Sequence, residues 1–529
     1  MSALSQVAHE RQATVAARLS DGPWLITAAV MLATFMEVLD TTVVSVSLTH
    51  IAGSLSATPN EATWALTSYL VANGVVIPIS GWLANRIGRK NLLLISTGGF
   101  TLASLLCGIA PNMSLLVTFR VIQGACGGSL QPLSQAVMLE AFPPKQHGKA
   151  MAIWAMGAIV APVLGPVLGG WLTDSYSWRW IFFINLPVGL ISVFMIMTFL
   201  KDPPYIRRSS APIDSWGLAM LVIWVAALQI MLDKGQEEDW FDSRFIVVLA
   251  VAFVMGLLAW VVRELSTRHP VAELRVFGQA PFAAGTLAMA IIGLVMYGSQ
   301  VTISIWLQTL LAYPSTQAGV AMVAMGLGAA FAMPLASTLV SRFDPRKVFV
   351  SGVMGFVVSF YQLMGFNLNI GFWDIFWPQF LQGASIGLLF VPLTVVTMAF
   401  IPKEKMGNAT GLFNMMRNIG GGVGISLTAT MLTRMGQEHT NLLVANITST
   451  SPLALRLAGG LKGLFAGSGP GWADQQAYAT LFGMVQREAT MVALVRVFQF
   501  LGILSLIFIP LIVLTKRPPK GQAAQPMGH

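Results

Sequence analysis

Apolar runs of membrane-spanning length alternate with short polar segments along almost the whole chain of 529 residues. A helix rises about 1.5 Å per residue, so about 20 apolar residues cross a hydrocarbon layer of about 30 Å. The pattern predicts an all-α integral membrane protein. Its fourteen predicted transmembrane helices cover residues 24–48, 61–83, 91–110, 114–139, 149–172, 180–200, 215–232, 245–262, 281–311, 317–341, 347–367, 373–400, 407–433 and 492–514.

The second half of the sequence repeats short motifs of the first half at a constant separation. Gln123-Gly124-Ala125 recurs 259 residues later as Gln382-Gly383-Ala384, and Gly165 recurs at the same separation as Gly424. The loop that begins at Phe142 recurs in the same way. Unrelated apolar sequences would not share polar loops at one offset. Parallel repeats of membrane helices are typical of transporters whose substrate site lies between the two halves near mid-membrane.

The repeat also predicts the organisation of the chain. The predicted segments are a cytoplasmic tail at 1–23, a six-helix half at 24–200, two inserted transmembrane helices with cytoplasmic linkers at 201–280, a second six-helix half at 281–514 and a cytoplasmic tail at 515–529. The second half contains a predicted periplasmic insertion at 435–490. We expect it to form two short amphipathic helices, near 452–465 and 474–490.

Composition and charge narrow the class of protein. Only 10% of the residues are charged, whereas soluble proteins have about 25%. The net charge of +9 does not indicate nucleic-acid binding, because 21 of the 31 Lys and Arg residues fall in the loops and terminal tails on one side of the predicted membrane. That asymmetry predicts a multi-pass protein with both termini in the cytoplasm. Cys107 and Cys126 both fall within predicted spans, so neither a disulfide framework nor a metal centre is expected.

Three charged residues within the predicted spans are candidates for coupling transport to protons. Glu37 and Asp40 are three residues apart on the first span, which places both carboxyls on one helix face, with a different partner for Glu37 as the alternative. Burial disfavours the ionised form of a carboxyl, so such a group can hold a proton until water reaches it. Arg120 on the fourth span needs a carboxylate or backbone carbonyls as partners. Helix capping and helix–helix bonding are the structural alternatives.

Two glycine-containing segments accompany these charges. The loop between the second and third spans reads Gly81-Trp82-Leu83-Ala84-Asn85-Arg86-Ile87-Gly88-Arg89-Lys90, in which glycines permit a tight turn beside cytoplasmic cations. The fifth span contains Gly157, Pro162, Gly165, Pro166, Gly169 and Gly170. Small residues four apart allow close helix approach, and prolines bend a membrane helix.

These motifs resemble those of the major facilitator superfamily, in its fourteen-helix drug/proton antiporter branch of the EmrB and QacA type. The 81–90 loop is similar to the superfamily's loop signature, and 157–170 to the glycine–proline signature of its antiporters. Leu39-Asp40-Thr41 resembles the first-helix signature of the branch. Trp178-Arg179-Trp180-Ile181-Phe182 and Asn185-Leu186-Pro187 resemble its entry into the sixth span.

The resemblance implies the major facilitator fold and export of amphipathic toxic compounds driven by the proton gradient, without a cofactor. It implies Asp40 as the leading protonation site, Arg120 as the coupling residue, and a conformational latch formed by Gly81, Asn85, Arg86, Gly88 and Arg89. The family usually has Asp where this chain has Asn85. Loss of that charge predicts a weaker latch.

Seven further residues are candidates for lining a substrate pocket: Gln123, Tyr297, Gln300, Trp306, Gln379, Asn414 and Arg417. Arg417 lies within a predicted span, where a charge is costly, so it is expected to face a cavity or a carboxyl. Ordinary hydrogen bonding between helices is the alternative for each of the seven.

Segment 474–490 resembles EmrB-type permeases, which implies a periplasmic membrane-fusion adaptor (EmrA-like) and an outer-membrane channel (TolC-like) as partners in a bacterial inner membrane. An exporter of one dedicated metabolite, such as a fatty acid or a siderophore, is the alternative function. An enzyme is not expected, because none of the six His residues has metal-binding spacing and no phosphate-binding loop is present.

Overall fold

A computed structural model describes residues 23–143, 146–202, 214–445, 447, 452–465, 467, 471–508 and 510. The predicted cytoplasmic tails at 1–23 and 515–529 therefore lie outside the described residues, except for residue 23. Apart from short 3-10 segments, the described residues form fourteen long helices and one short α-helix, Pro452–Leu464.

The long helices follow one another with short connections. Their bounds are α1 Pro23–Ser54, α2 Pro59–Ile87, α3 Arg89–Gly108, α4 Met113–Ala141, α5 His147–Ser175, α6 Trp180–Phe199, α7 Ser215–Lys234, α8 Arg244–Ser266, α9 Ala280–Leu310, α10 Ser315–Arg342, α11 Pro345–Met364, α12 Phe372–Met398, α13 Met406–Ala445 and α14 Trp472–Ser505. The helix in α4 is interrupted at Gly128 and Ser129, and α9 ends in one π-helical turn from Trp306 to Leu310.

Within the described ranges, thirteen helices are long and apolar enough to cross a membrane, namely all but α13. The helix α13 is less apolar because Asn408, Asn414, Arg417 and several glycines occupy its first half. Most of these residues are buried against other helices instead of facing lipid. The predicted fourteen-helix architecture, two six-helix repeats with a central pair, is confirmed.

Packing inside the two halves follows the same plan. In the first half α1 packs against α5 and α2 against α4, and in the second half α9 packs against α13 and α10 against α12. The starts of α4 and α5 lie 259 residues before those of α12 and α13. Across the halves, α2 contacts α13 and α5 contacts α10. The substrate-sized space of such a fold lies between these two interfaces.

The inserted helices α7 and α8 pack mainly on each other. The Trp224 and Trp260 rings are 5.4 Å apart, and Arg263 donates two hydrogen bonds to Asp214 at the start of α7, at 2.8 and 3.1 Å. The pair lies beside α2 and α13. It therefore borders one of the two contacts between the halves.

Glycines of α5 and α13 bring helices into close contact at equivalent places. A Cβ on Gly165 would lie 2.6 Å from Cβ of Thr42 in α1. A Cβ on Gly424 would overlap the backbone of Leu294 in α9. Gly169 packs against Val43 in the same way. The glycines of the 157–170 segment thus position α1, the helix that carries both candidate carboxyls.

The structure changes the picture of residues 435–490. The predicted short helix near 452–465 is present as Pro452–Leu464, but the second short helix is wrong as a separate element. Instead, α14 begins at Trp472 and continues through the membrane, and α13 extends to Ala445. Forty residues of helix are about 60 Å long, about twice the hydrocarbon thickness. The polar sequence of these helical extensions made them look like a separate domain.

The contact between α1 and α5 provides a test of this packing. Gly165→Ala inserts a methyl group against Thr42, and overpacking of this kind costs about 1–3 kcal/mol. We expect a lower melting temperature of the purified protein in detergent. Gly98→Ala in α3 is the matched control, because a Cβ there meets nothing within 4 Å. Equal melting temperatures for the two variants would contradict the close contact.

Candidate functional site

The carboxylate of Asp40 is enclosed by donors from α4 and α6. Arg120 Nη1 donates to Oδ2 at 2.5 Å, while Gln123 Nε2 and Asn185 Nδ2 donate to Oδ1 at 3.0 and 2.9 Å. Ser104 in α3 accepts hydrogen bonds from the same two amides. The group is 1% exposed. We call these five residues the Asp40 cluster, and it lies wholly inside the first half.

Arg120 is held by three kinds of contact. Its Nε donates to the carbonyl oxygen of Ala65 at 2.8 Å, its Nη1 donates to Gln123 Oε1 at 2.7 Å, and its guanidinium carbon lies 4.2 Å from the centre of the Tyr69 ring. A buried ion pair is stable only when such additional bonds replace the lost water. The sequence predicted a carboxylate or backbone carbonyls as partners of Arg120, and the structure shows one of each, Asp40 and the carbonyl of Ala65.

Glu37 occupies a different environment from Asp40. Its Oε1 accepts from Asn73 Nδ2 at 2.9 Å and from the Tyr69 hydroxyl at 3.3 Å, and its Oε2 accepts from Gln131 Nε2 at 2.6 Å. Of the two possibilities left open by the sequence, the structure shows the second, a different partner for Glu37. Three helical residues subtend about 300°, so the two side chains diverge by about 60° and reach different helices.

Gln131 connects Glu37 to the second half of the protein. Its Oε1 accepts a short hydrogen bond from Arg417 Nη2 in α13. The Arg417 guanidinium lies 5.7 Å from the ring centre of Trp154, which stacks on Phe390 of α12 at 5.5 Å. The first-half carboxyl and the second-half cation are thus joined through one amide.

A small cavity between the halves adjoins this amide. Its walls include Gln131, Trp154, Tyr297, Phe390 and Arg417, together with Val38, Ala155, Ala158, Ile159, Met289, Ile292, Met296 and Ile386. The cavity volume of about 20 Å³ suffices for about one water molecule. The lining is aromatic and apolar with one cation. In this conformation the cavity is far smaller than the roughly 300–1,000 Å³ of a drug-sized ligand pocket.

The predicted pocket residues separate into distinct environments. Tyr297 and Arg417 line the cavity, and Asn414 donates to Gln135 Oε1 at 2.6 Å one turn away. Gln123 does not line the cavity, because its amide is fully buried in the Asp40 cluster, which corresponds to the alternative of hydrogen bonding between helices. Trp306 also lies away from the cavity and stacks on Phe366 at 4.8 Å inside the second half.

The remaining two pocket candidates do not line the cavity. The Gln300 amide points at the Met325 sulfur at 4.0 Å, and Gln379 is buried in α12.

The 81–90 loop closes the end of the bundle that is predicted to face the cytoplasm. A Cβ on Gly81 would lie 2.6 Å from the Asn408 Cα at the start of α13, so α2 and α13 touch through backbone. The linker before α9 meets the same place, where the Glu273 amide donates to Asn408 Oδ1 at 3.2 Å. We call these contacts the inner gate. It is closed in this structure.

The other latch residues form a local network. Arg89 forms a buried ion pair with Glu140 at the end of α4, and its Nη2 reaches the Lys403 carbonyl of the second half at 3.5 Å. Arg86 lies over the Trp82 ring at 5.5 Å. The half-buried Asn85 lies in the last turns of α2. Arg89 is thus the latch residue whose side chain reaches across the halves.

Gly88 adopts φ of +91°, a conformation that favours glycine. The Asp202 carboxylate accepts from the Lys90 amide at 2.8 Å, which places a negative charge at the start of α3. Asp202, which follows α6, therefore places a carboxylate at the N-terminus of α3. This carboxylate lies next to the 81–90 loop, in which residue 85 is the uncharged Asn85.

Comparison with known families matches residues 30–425 to the Major Facilitator Superfamily model. The chain belongs to the major facilitator superfamily. The match covers most of the first half, the inserted pair and the second half as far as residue 425 in α13, so it includes every residue of the Asp40 cluster, the cavity and the inner gate.

Several relatives in this superfamily are similar over most of their length. "Multidrug export protein EmrB" of Haemophilus influenzae is 40% identical over 81% of this chain and 84% of its own. "Multidrug export protein EmrB" of Escherichia coli K12 is 35% identical over 93% and 95%. "Fatty acid resistance protein FarB" of Neisseria gonorrhoeae is 36% identical over 93% and 96%.

Solved major facilitator structures share the fold at low sequence identity. The human organic anion transporter MFSD10 aligns with a TM-score of 0.57 and 13% identity, covering 91% of this chain and 99% of its own. The proton:xylose symporter XylE aligns with a TM-score of 0.57 and 14% identity, covering 93% and 96%. These likenesses show the fold alone.

Several residues of the Asp40 cluster, the cavity and the region around the 81–90 loop were not predicted from the sequence. Gln131 and Trp154 are neutral and lie in apolar spans, so no charge marked them. Asn185 belonged to the motif at the start of α6 but was not connected to Asp40. Glu140 and Asp202 lie at span ends, where acids are ordinary. A search for polar side chains within the apolar spans, about three turns beyond Arg120, would have found Gln131.

The buried ion pair of Asp40 and Arg120 can be tested by removing one of the two charges or both. Arg120→Leu leaves the buried carboxylate without its cation, and removal of one partner of a buried pair costs about 3–5 kcal/mol. We expect a marked drop in melting temperature in detergent. The double variant Asp40→Asn with Arg120→Leu leaves no uncompensated charge, so it should recover part of the loss. A double variant less stable than Arg120→Leu would refute this compensation.

The inner gate provides a second test. Gly81→Val places a branched side chain against the Asn408 backbone, which cannot move aside as a flexible side chain could. We expect the closed inner gate to be disfavoured, measured as faster labelling of a cysteine introduced at Asn414, which is 1% exposed in the closed state. Gly53→Val in α1 is the matched control, since a Cβ there meets nothing within 4 Å. Unchanged labelling in Gly81→Val would show that the contact does not close the gate.

Proposed function

We propose that this chain is a proton-coupled multidrug exporter of a bacterial inner membrane that works by alternating access. The observation that carries the proposal is the pair of buried carboxyls on α1, one bound to Arg120 and the other linked through Gln131 to the central cavity. The similarity to proteins named for multidrug export supports the substrate class. The apolar and aromatic cavity lining suits amphipathic compounds.

The transport cycle follows from the closed inner gate. With the gate closed, protons arrive from the periplasmic side, where they compete with a departing substrate for the region around Gln131. Proton uptake by the carboxyls removes charge from the first half and allows the halves to rock about the cavity. Proton loss to the cytoplasm then restores the charged carboxyls after substrate has entered. Asp40 with Arg120 is the proposed coupling pair, and Glu37 is the carboxyl next to the cavity wall.

We also propose that the exporter acts with a periplasmic membrane-fusion adaptor and an outer-membrane channel. The extensions of α13 and α14 support this, because they project beyond the predicted membrane and expose Leu442, Trp472 and Phe482, while the short helix exposes Leu464 at its end. The short helix is attached to α14 by the Lys462–Asp474 ion pair at 2.9 Å. This gives an adaptor a folded surface.

A second candidate is export of one dedicated acid such as a fatty acid. Two observations favour it: the similarity to a protein named for fatty acid resistance, and Arg417 at the cavity wall. The Arg417 Nε has no hydrogen-bond partner among the described residues. A free guanidinium donor in an apolar cavity would bind a carboxylate.

Proton release from the reconstituted protein tests the proposal. Lipophilic cations, uncouplers and a long-chain fatty acid are added separately to proteoliposomes, and released protons are recorded with a pH dye. We expect release with several chemical classes, and loss of release in Asp40→Asn and Glu37→Gln. The exposed Glu404→Gln is the matched control and should release protons like wild type.

Release with the fatty acid alone would favour the dedicated exporter. Release that persists in both carboxyl variants would contradict proton coupling through α1.

A further inference from the structure

Both the NH₂ group and the oxygen of the Gln131 side-chain amide form hydrogen bonds in this conformation. Its Nε2 donates to Glu37 in the first half, and its Oε1 accepts from Arg417 in the second half. The amide dipole therefore runs from a carboxylate to a guanidinium, with its donor end toward the negative group. Glu37 holds the NH₂ group and Arg417 holds the oxygen, so both partners favour the same orientation of the amide. Each hydrogen bond has one charged partner, and the two bonds strengthen each other.

The charged and titratable groups around Glu37 come from each neighbouring helix. Tyr69 on α2 donates to it, and Asp40 lies three residues further along α1. Arg120 on α4 lies over the Tyr69 ring, 4.2 Å from its centre. Arg417 reaches Glu37 from α13 through Gln131, and Trp154 of α5, which does not titrate, lies beside the Arg417 guanidinium. Arg120 is already paired with Asp40, so Arg417 is the cation available to Glu37.

We propose that Gln131 is a proton-operated link between the two halves. The link is made while Glu37 is ionised and is broken when Glu37 takes up a proton. This inference rests on the proposed function for the source of the proton, but the link itself is a property of three side chains.

The chemistry of the amide explains the switch. An ionised carboxylate only accepts hydrogen bonds, so it holds the Gln131 NH₂ and leaves the amide oxygen to Arg417. A protonated carboxyl must donate its new hydrogen. If Gln131 turns to accept it, the NH₂ then faces the Arg417 guanidinium, donor against donor, and the bond across the halves is lost. If it does not turn, its partner is neutral and the bond weakens.

The position of the link determines its effect on transport. It joins α4 to α13, and α13 begins at the inner gate with Gly407 and Asn408 against α2. Breaking the link removes one of the bonds that hold α13 against the first half. Proton uptake would therefore favour opening of the inner gate, which is the direction that an exporter needs after it has released substrate outside.

The chain contains a matched neutral bridge one turn away. Gln135 on α4 accepts from Asn414 on α13 at 2.6 Å, and this bond also crosses the halves. Both glutamines lie on α4 four residues apart, but the partner of Gln135 carries no charge. Loss of the second bridge should loosen the gate without changing its response to pH.

Distances between spin labels at the inner gate test the proposal. Labels are attached at Asn91→Cys on α3 and Ser341→Cys on α10, both exposed, in a background with Cys107→Ala and Cys126→Ala. Distances are measured in nanodiscs by pulsed electron paramagnetic resonance at neutral and acidic pH without substrate. The variants are Glu37→Gln, Gln131→Leu, Gln131→Asn and Gln135→Leu. Gln131→Asn is one methylene shorter, so it cannot reach both partners and avoids burying a new apolar side chain.

In the parent protein we expect acidification to lower the ratio of closed to open gate by about tenfold, the effect of one charge-assisted hydrogen bond. Glu37→Gln and both Gln131 variants should show the acidic distribution at both pH values. Gln135→Leu should keep the pH response. A pH response in either folded Gln131 variant, or none in the parent, would overturn the proposal.

These outcomes separate the link from the proposed function. A protein that releases no protons with any compound but shows the expected distances retains the link and loses the assignment as a multidrug exporter. A working exporter whose Gln131→Asn variant opens and closes with pH like the parent retains the assignment and loses the link.

Discussion

The burial of charge in the middle of a membrane bundle is the constraint on which the rest of this structure depends. An ionised carboxylate or guanidinium in hydrocarbon is stable only if donors and opposite charges replace its water. Asp40 meets this requirement inside the first half, through Arg120 and two amides. Glu37 meets it with neutral donors and reaches a cation only through Gln131, in the other half. Asp40 therefore stabilises the first half, and Glu37 takes part in the contact between the two halves.

Close packing of α1 makes that arrangement possible. Because Gly165 and Gly169 let α5 approach the backbone of α1, little space remains for side chains to change partners. Well-packed interiors switch between discrete arrangements instead of deforming continuously. The equivalent contact of Gly424 against α9 gives the second half the same rigidity. The halves can then move as bodies, with the adaptable contacts confined to their interface.

The sequence predicted the helices, the repeat and the need of Arg120 for a buried partner because each has a strong local signal: apolar runs, a constant offset, and a charge that cannot stay unpaired in lipid. It left partners open, or missed them, where the signal depended on three dimensions. The divergence of Glu37 from Asp40 follows from which neighbouring helix each side chain meets, and the roles of Gln131 and Trp154 follow from contacts between distant segments. Residues 435–490 were predicted as an insertion because their sequence is polar. The structure shows instead that α13 continues to Ala445 and that α14 already begins at Trp472.

The length of α13 has a consequence for communication along the membrane normal. One uninterrupted helix from Met406 to Ala445 carries the inner-gate contact, the cavity guanidinium and the projection on the far side. Such a helix acts as a lever: a tilt of about 10° about one end displaces the other by about 10 Å over its length of about 60 Å. Anything seated on the outer projection would therefore be moved mechanically each time the inner gate changed state.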